Sequence, residues 1–188
     1  MTFNATRQPV KGDRPPIGFL EELVAWAGSA ADEIFAPNAS FHDDIYDSVS
    51  HQLGPCEGIA TRRAVMLEVL RVLAGIESTW NWNDGVDKSK RTRATAENSE
   101  AGAWQVSADS MNFGQELKDL VQKALARDGG GSLDANAFQR VMKKDHQLAI
   151  EYAARLLRHT TKHHGPVRDH RIHRWLSKDA VAEFQALV

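Results

Sequence analysis

Residues 61–79 read TRRAVMLEVLRVLAGIEST, and the fold turns on this stretch. Val65, Met66, Leu67, Val69, Leu70, Val72, Leu73 and Ile76 leave only Glu68 and Arg71 as polar breaks in its centre. A helix that is apolar nearly all round belongs in an interior rather than on a surface. Thr61 to Ile76 is therefore expected to run through the core, with the other elements packed around it.

Weaker helical patterns lie on both sides. Ile17, Leu20, Leu23, Val24 and Ala27 form a stripe at helical spacing behind Pro15-Pro16, so the first sixteen residues read as an extended lead-in. A shorter pattern from Phe41 to Leu53 ends at Gly54-Pro55. Downstream, Phe113, Leu117, Leu120, Val121 and Ala124 predict a helix stopped by Gly129-Gly130-Gly131. Asp134 is in position to cap a helix over Ala135 to Lys144. Leu148, Tyr152 and Leu156 mark another helix ending near His159, and Ser177 sits where the cap of a last helix belongs. Between these helices, Glu77 to Gln105 is polar and carries Trp80, Trp82 and Trp104, which reads as loops with a short hairpin. The expectation is an α+β chain, predominantly α-helical. Residues 1–56 read as an N-terminal extension whose helix packs on a domain formed by 57–188.

Composition narrows the function. The 188 residues are 42% hydrophobic, enough to bury a full core, and Lys+Arg 23 against Asp+Glu 25 gives a net charge of -2. That balance supplies neither a basic footprint for nucleic acid nor a polybasic membrane anchor. No stretch approaches the roughly 18 apolar residues of a membrane span, so no membrane insertion is expected. Met1 to Gly18 lacks a signal-peptide core, and the chain is expected to be made in the cytoplasm without a Sec signal. Cys56 alone cannot form an internal disulfide, and it reads as inert.

The chemistry concentrates where apolar helix gives way to polar loop. Glu77 follows Ile76 directly, with Trp80 and Trp82 close behind. A carboxyl held against apolar and indole surface loses hydration in its charged form, so its pKa rises toward the range a general acid needs. Glycosidic cleavage uses such an acid to protonate the leaving oxygen, with a second carboxylate or a positioned water. Asp84, Asp87, Glu97 and Glu100 are the candidates for the second group, and Trp80 and Trp104 read either as sugar platforms or as core anchors.

Gly75-Ile76-Glu77-Ser78-Thr79-Trp80-Asn81 resembles the Glu-Ser motif of goose-type lysozymes and soluble lytic transglycosylases, and Glu100 to Ser107 is similar to their Gly-Leu-Met-Gln-type motif. Ala149 to Leu157 resembles the helix beneath their cleft. The resemblance implies a lysozyme-like fold and cleavage of the β-1,4 glycan strands of peptidoglycan, by a muramidase or an N-acetylglucosaminidase. It makes Glu77 the general acid/base and Ser78 its support. Gln105 lines the sugar cleft, and Tyr152 belongs with the substrate-binding group. Two departures stand out: Ala103 and Trp104 replace the family's leucine and methionine, and His163-His164-Gly165-Pro166 stands near its Tyr-Asn-Ala-Gly-type segment. No cofactor is called for.

The run Glu-Ser-Thr-Trp-Asn-Trp-Asn, with the N-terminal helical extension, also looks like the glycoside hydrolase effectors of type VI secretion. That likeness implies an antibacterial toxin active in the periplasm of a target cell, and a cognate immunity protein that blocks the cleft. Other readings stay open: a lytic transglycosylase or phage endolysin of the same fold, a non-enzymatic glycan-binding module, and a metal-dependent wall amidase. The last would use His159, His163, His164, His170 and His173, which include i,i+4 and i,i+3 pairs but no His-Glu-x-x-His motif. A solvated histidine segment with no metal is the expectation. Asp128 to Asp134 has a faint calcium-loop look without the closing glutamate, and reads as a flexible turn.

Overall fold

The computed structural model describes residues 1–41, 43–85 and 99–188. Its helices are α1 (Ile17–Ser29), α2 (Ile45–Leu53), α3 (Ile59–Glu77), α4 (Gln115–Arg127), α5 (Ala135–Lys144), α6 (His146–His159), α7 (Gly165–Arg168) and α8 (Lys178–Leu187). A two-stranded antiparallel hairpin, β1 (Glu100–Ala101) and β2 (Val106–Ser107), lies between α3 and α4. The chain is predominantly helical with one small sheet, as the periodicities predict.

Local signals define the helix ends. Asp134 accepts the Ala137 N–H at 2.9 Å, Asp145 that of Leu148 at 3.0 Å, and Ser177 that of Ala180 at 3.3 Å. Each side chain satisfies a backbone donor that the first helical turn leaves orphaned. The Phe41–Leu53 pattern becomes α2 only from Ile45, because Asp44 caps it by accepting from Tyr46 N.

α3 is the axis of the molecule, with Ala64 through Gly75 buried without a break. It packs against α1, α2, α6, α7 and α8. The two polar breaks are not exceptions to its burial. Glu68 and Arg71, one turn apart, are both fully enclosed and pair through two hydrogen bonds of 2.7 and 2.8 Å. Arg71 also donates to Gln8 O at 3.0 Å, and Glu68 accepts the Ser177 N–H at 2.8 Å. Burial pushes the Glu68 carboxyl up, and Arg71 and the Ser177 N–H oppose that shift. The charged pair thus pins both chain ends onto the core helix.

The first sixteen residues are docked, which corrects the expected extended lead-in. Ala5–Arg7 form a 3-10 turn, and Thr6 and Val10 have no exposed surface. Glu183 of α8 accepts the N–H groups of Asn4 and Thr6 and the Thr6 hydroxyl, each at 2.7 Å. Three donors on one carboxylate give this segment a fixed seat. One apolar cluster takes in Leu20, Leu23, Phe35 and Val49 together with Leu70, Leu117, Ile150 and Phe184. Residues 1–56 therefore share a core with residues 57–188.

A second buried polar network ties Ile34, Phe35, Ala36 and Asp44 down. Asp44 accepts from Arg158 Nε at 3.0 Å and from Arg62 at 3.4 Å. Arg158 donates in turn to Ile34 O and Ala36 O, and Arg62 to Phe35 O. Among the described residues no helix is long and apolar enough to cross a membrane.

Candidate active site

Glu77 is the last residue of α3, and the chain leaves the helix sharply there. Thr79 and Trp80 both have left-handed backbone, with φ of 55° and 58°, and Trp80 N reaches back to Ala74 O at 3.2 Å. This turn folds the Trp80 indole onto the helix it has just left. Its Nε1 donates to Arg71 O at 2.8 Å. A Cβ on Gly75 would stand 2.5 Å from the Trp80 ring, so the bare glycine makes the seat. Trp104 does the same from the hairpin, donating through Nε1 to Leu70 O at 2.9 Å.

Both indoles are core anchors. Trp80 is 3% exposed and Trp104 1%, so neither presents a face to a sugar. The cause is that a buried indole N–H must find an acceptor, and the carbonyls of α3 supply it. Tyr152 is likewise not a cleft residue. It is fully buried in α6, with its hydroxyl 2.7 Å from Ser110 Oγ. Ser110 donates to Ser107 O at 2.6 Å, so Tyr152 acts from below on the strand that follows Gln105.

Ser78 joins the two halves of the site. Its hydroxyl donates to Ala103 O at 2.8 Å and accepts the Asn81 N–H at 3.1 Å. The helix end that carries Glu77 is thereby fastened to the turn that carries Gln105. That turn is tight: Gly102 has φ +73°, and Gln105, at φ 48°, bonds back to Gly102 O through both its backbone N–H and its side-chain amide. Gly85 bridges to Ala101, and Gly102 N donates to Asp84 O at 2.7 Å, which brings Asp84 beside the hairpin.

These pieces enclose a polar cavity of about 540 Å3, lined by Glu77, Asp84, Glu100, Gln105, His163, His164, Gly165, Pro166, Arg168 and Arg171. Four of its lining residues were legible as candidates: Glu77, Asp84, Glu100 and Gln105 meet here. Asp87 and Glu97 lie outside the described residues. The Glu77 side chain is 22% exposed, and its Oε1 lies 3.9 Å from Nδ1 of His164, which is almost wholly buried. Burial, and next the neighbouring His163 ring, hold the His164 pKa well below the ordinary imidazole value. His163 is lowered as well, by burial. The neutral imidazole is therefore the form that faces Glu77 near neutral pH.

Sequence reasoning took the histidines as a solvated segment, with a metal site as the rival reading, and missed Arg168 and Arg171; His164 is instead buried. The available signal was position: His163-His164-Gly165-Pro166 follows closely on the end of α6. The five histidines do not assemble into one cluster. His159 pairs with Glu116 at 3.0 Å, His170 and His173 face each other at 3.4 Å, and His163 and His164 turn to the cavity. Among the described residues, no group of three or more His, Cys, Asp or Glu side chains is arranged to hold a metal ion. In the Asp128–Asp134 turn, Asp128 bonds Lys144, and Asp134 is occupied as the α5 cap.

The arrangement offers a carboxyl at the mouth of a core helix, two further carboxylates on the same cavity, and an amide to orient a polar ligand. No protein-family model matches the chain, and no curated protein or solved structure matches it either.

Proposed function

We propose that this chain is a peptidoglycan glycoside hydrolase with a lysozyme-like catalytic arrangement, cleaving β-1,4 bonds of the bacterial cell wall. The observation that carries the reading is Glu77: it ends the buried helix α3 and opens onto a polar cavity shared with Asp84, Glu100 and Gln105. Glu77 protonates the glycosidic oxygen as the bond breaks. Glu100 or Asp84 then serves as the second carboxylate, acting as nucleophile in a retaining reaction or activating water in an inverting one. Gln105 hydrogen-bonds the glycan. In the same proposal the protein acts as an antibacterial effector in a target cell's periplasm, and a cognate immunity protein obstructs this cavity.

Mass spectrometry of the soluble products from purified peptidoglycan tests the reading. Wild-type protein is expected to release disaccharide-peptides with hydrated reducing ends, and Glu77→Gln to release them about two to four orders of magnitude more slowly. Anhydro ends would make the enzyme a lytic transglycosylase. Cleaved peptides on intact glycan, or full activity in Glu77→Gln, would refute it.

A further inference from the structure

The carboxylates of the cavity come from α3, the hairpin and the segment beside it, whereas its permanent cations come from another part of the chain. Arg168 ends α7 and Arg171 opens the following 3-10 turn, and both line the cavity. They share one tether. Arg168 donates to Asp169 through Nε at 2.8 Å and Nη2 at 3.2 Å, and Arg171 Nε lies 3.8 Å from the same carboxylate. Two guanidiniums against one carboxylate leave a surplus positive charge. They also converge in space: a Cβ on Gly165 would stand 3.3 Å from Nη2 of Arg171 and 3.9 Å from Nη2 of Arg168. Both tips thus hang over the same bare stretch of backbone. His170, with left-handed φ of 55°, makes the bend that brings the second arginine round.

We propose that Arg168 and Arg171 form a carboxylate-recognition subsite that takes the acidic stem peptide of the glycan strand beside the bond being cut. This rests on the glycosidase reading and names the feature of the substrate that the cavity selects. A guanidinium fork matches a carboxylate in two parallel hydrogen bonds, which a lysine cannot reproduce. Asp84 and Glu100 repel an anion from their part of the cavity, and the arginines attract it to theirs. The stem's charge therefore sets the direction in which the strand lies. An uncharged glycan gains nothing from this arrangement.

The test compares initial rates on native peptidoglycan strands and on the same strands with their stem carboxylates converted to primary carboxamides. Wild-type protein is expected to prefer the native strands by about two- to tenfold, the range of one or two solvent-exposed charge pairs. The Arg168→Ala/Arg171→Ala double variant is expected to lose that preference, and Arg171→Lys to retain only part of it. Both side chains are more than half exposed, so the variants are expected to fold. Equal rates of wild-type protein on the two substrates, or a preference that persists in the double variant, would overturn the subsite while leaving the glycosidase standing. A wild-type protein that cleaves neither substrate would overturn both.

Discussion

Nδ1 of His164 lies 3.9 Å from Oε1 of Glu77, and the two residues are brought together from distant parts of the sequence by the end of α3 and the turn before α7. The imidazole is buried and is held neutral by that burial. The folded protein consequently binds fewer protons at this site than the unfolded chain does once the pH falls below about 6.5, the ordinary histidine value.

Linkage then gives the sign. Where the unfolded state binds more protons, stability rises with pH, so it must fall as the pH drops below about 6.5. His163, depressed by the same burial, adds in the same direction. Urea unfolding followed from pH 7.5 to 5.5 is expected to show a falling midpoint, and His164→Asn a shallower fall. A midpoint independent of pH across that interval would contradict the burial argument.

Gly75→Ala separates local propensity from packing. Alanine is the better helix former by about 1 kcal/mol, so propensity predicts stabilisation. The new methyl would meet the Trp80 ring at 2.5 Å and push the indole off Arg71 O. Overpacking of this kind costs about 1–3 kcal/mol, and a net loss of stability is expected by chemical denaturation. A gain would mean that Trp80 does not hold this seat.

The Glu68–Arg71 pair makes a prediction of non-additivity. Arg71→Met leaves a carboxylate enclosed without its counter-charge, at a cost of about 3–5 kcal/mol. Glu68→Gln strands the guanidinium in the same way. The double variant should lose less stability than the two single losses together, because neither charge is then left alone. Strict additivity in a double-mutant cycle would show that the two residues act independently.

The helices were legible because their signals are local. Asp134 and Ser177 cap the helices expected of them, and the triple glycine follows α4. Glu77 marks the end of the apolar run and of α3 alike. Part of the candidate site was legible for the same reason: Glu77, Glu100 and Gln105 sit beside recognisable breaks in pattern, and all three reach the cavity. Trp80 and Trp104 stayed open between two readings because an aromatic residue in a polar stretch carries no sign of which way it points, whereas Tyr152, on the apolar stripe of α6, was put in the cleft group by the resemblance alone. Trp80 turns back onto its own helix, and that depends on a glycine five residues earlier and on the left-handed backbone of Thr79 and of Trp80 itself.

By itself the sequence determined a helical chain, a buried central helix and a carboxylate at its exit. Periodicity and capping act within about one or two turns, so neighbouring residues suffice to encode them. Only the tertiary structure decided that Glu68 and Arg71 are an enclosed pair, and that residues 4–6 dock on Glu183. It alone set His164 beside Glu77, and two arginines over Gly165. The spacing of Glu68 and Arg71 is local and only their enclosure is tertiary; each of the other relationships joins groups whose positions are fixed by how elements pack, and a side chain's partner across the core is written nowhere in its own neighbourhood.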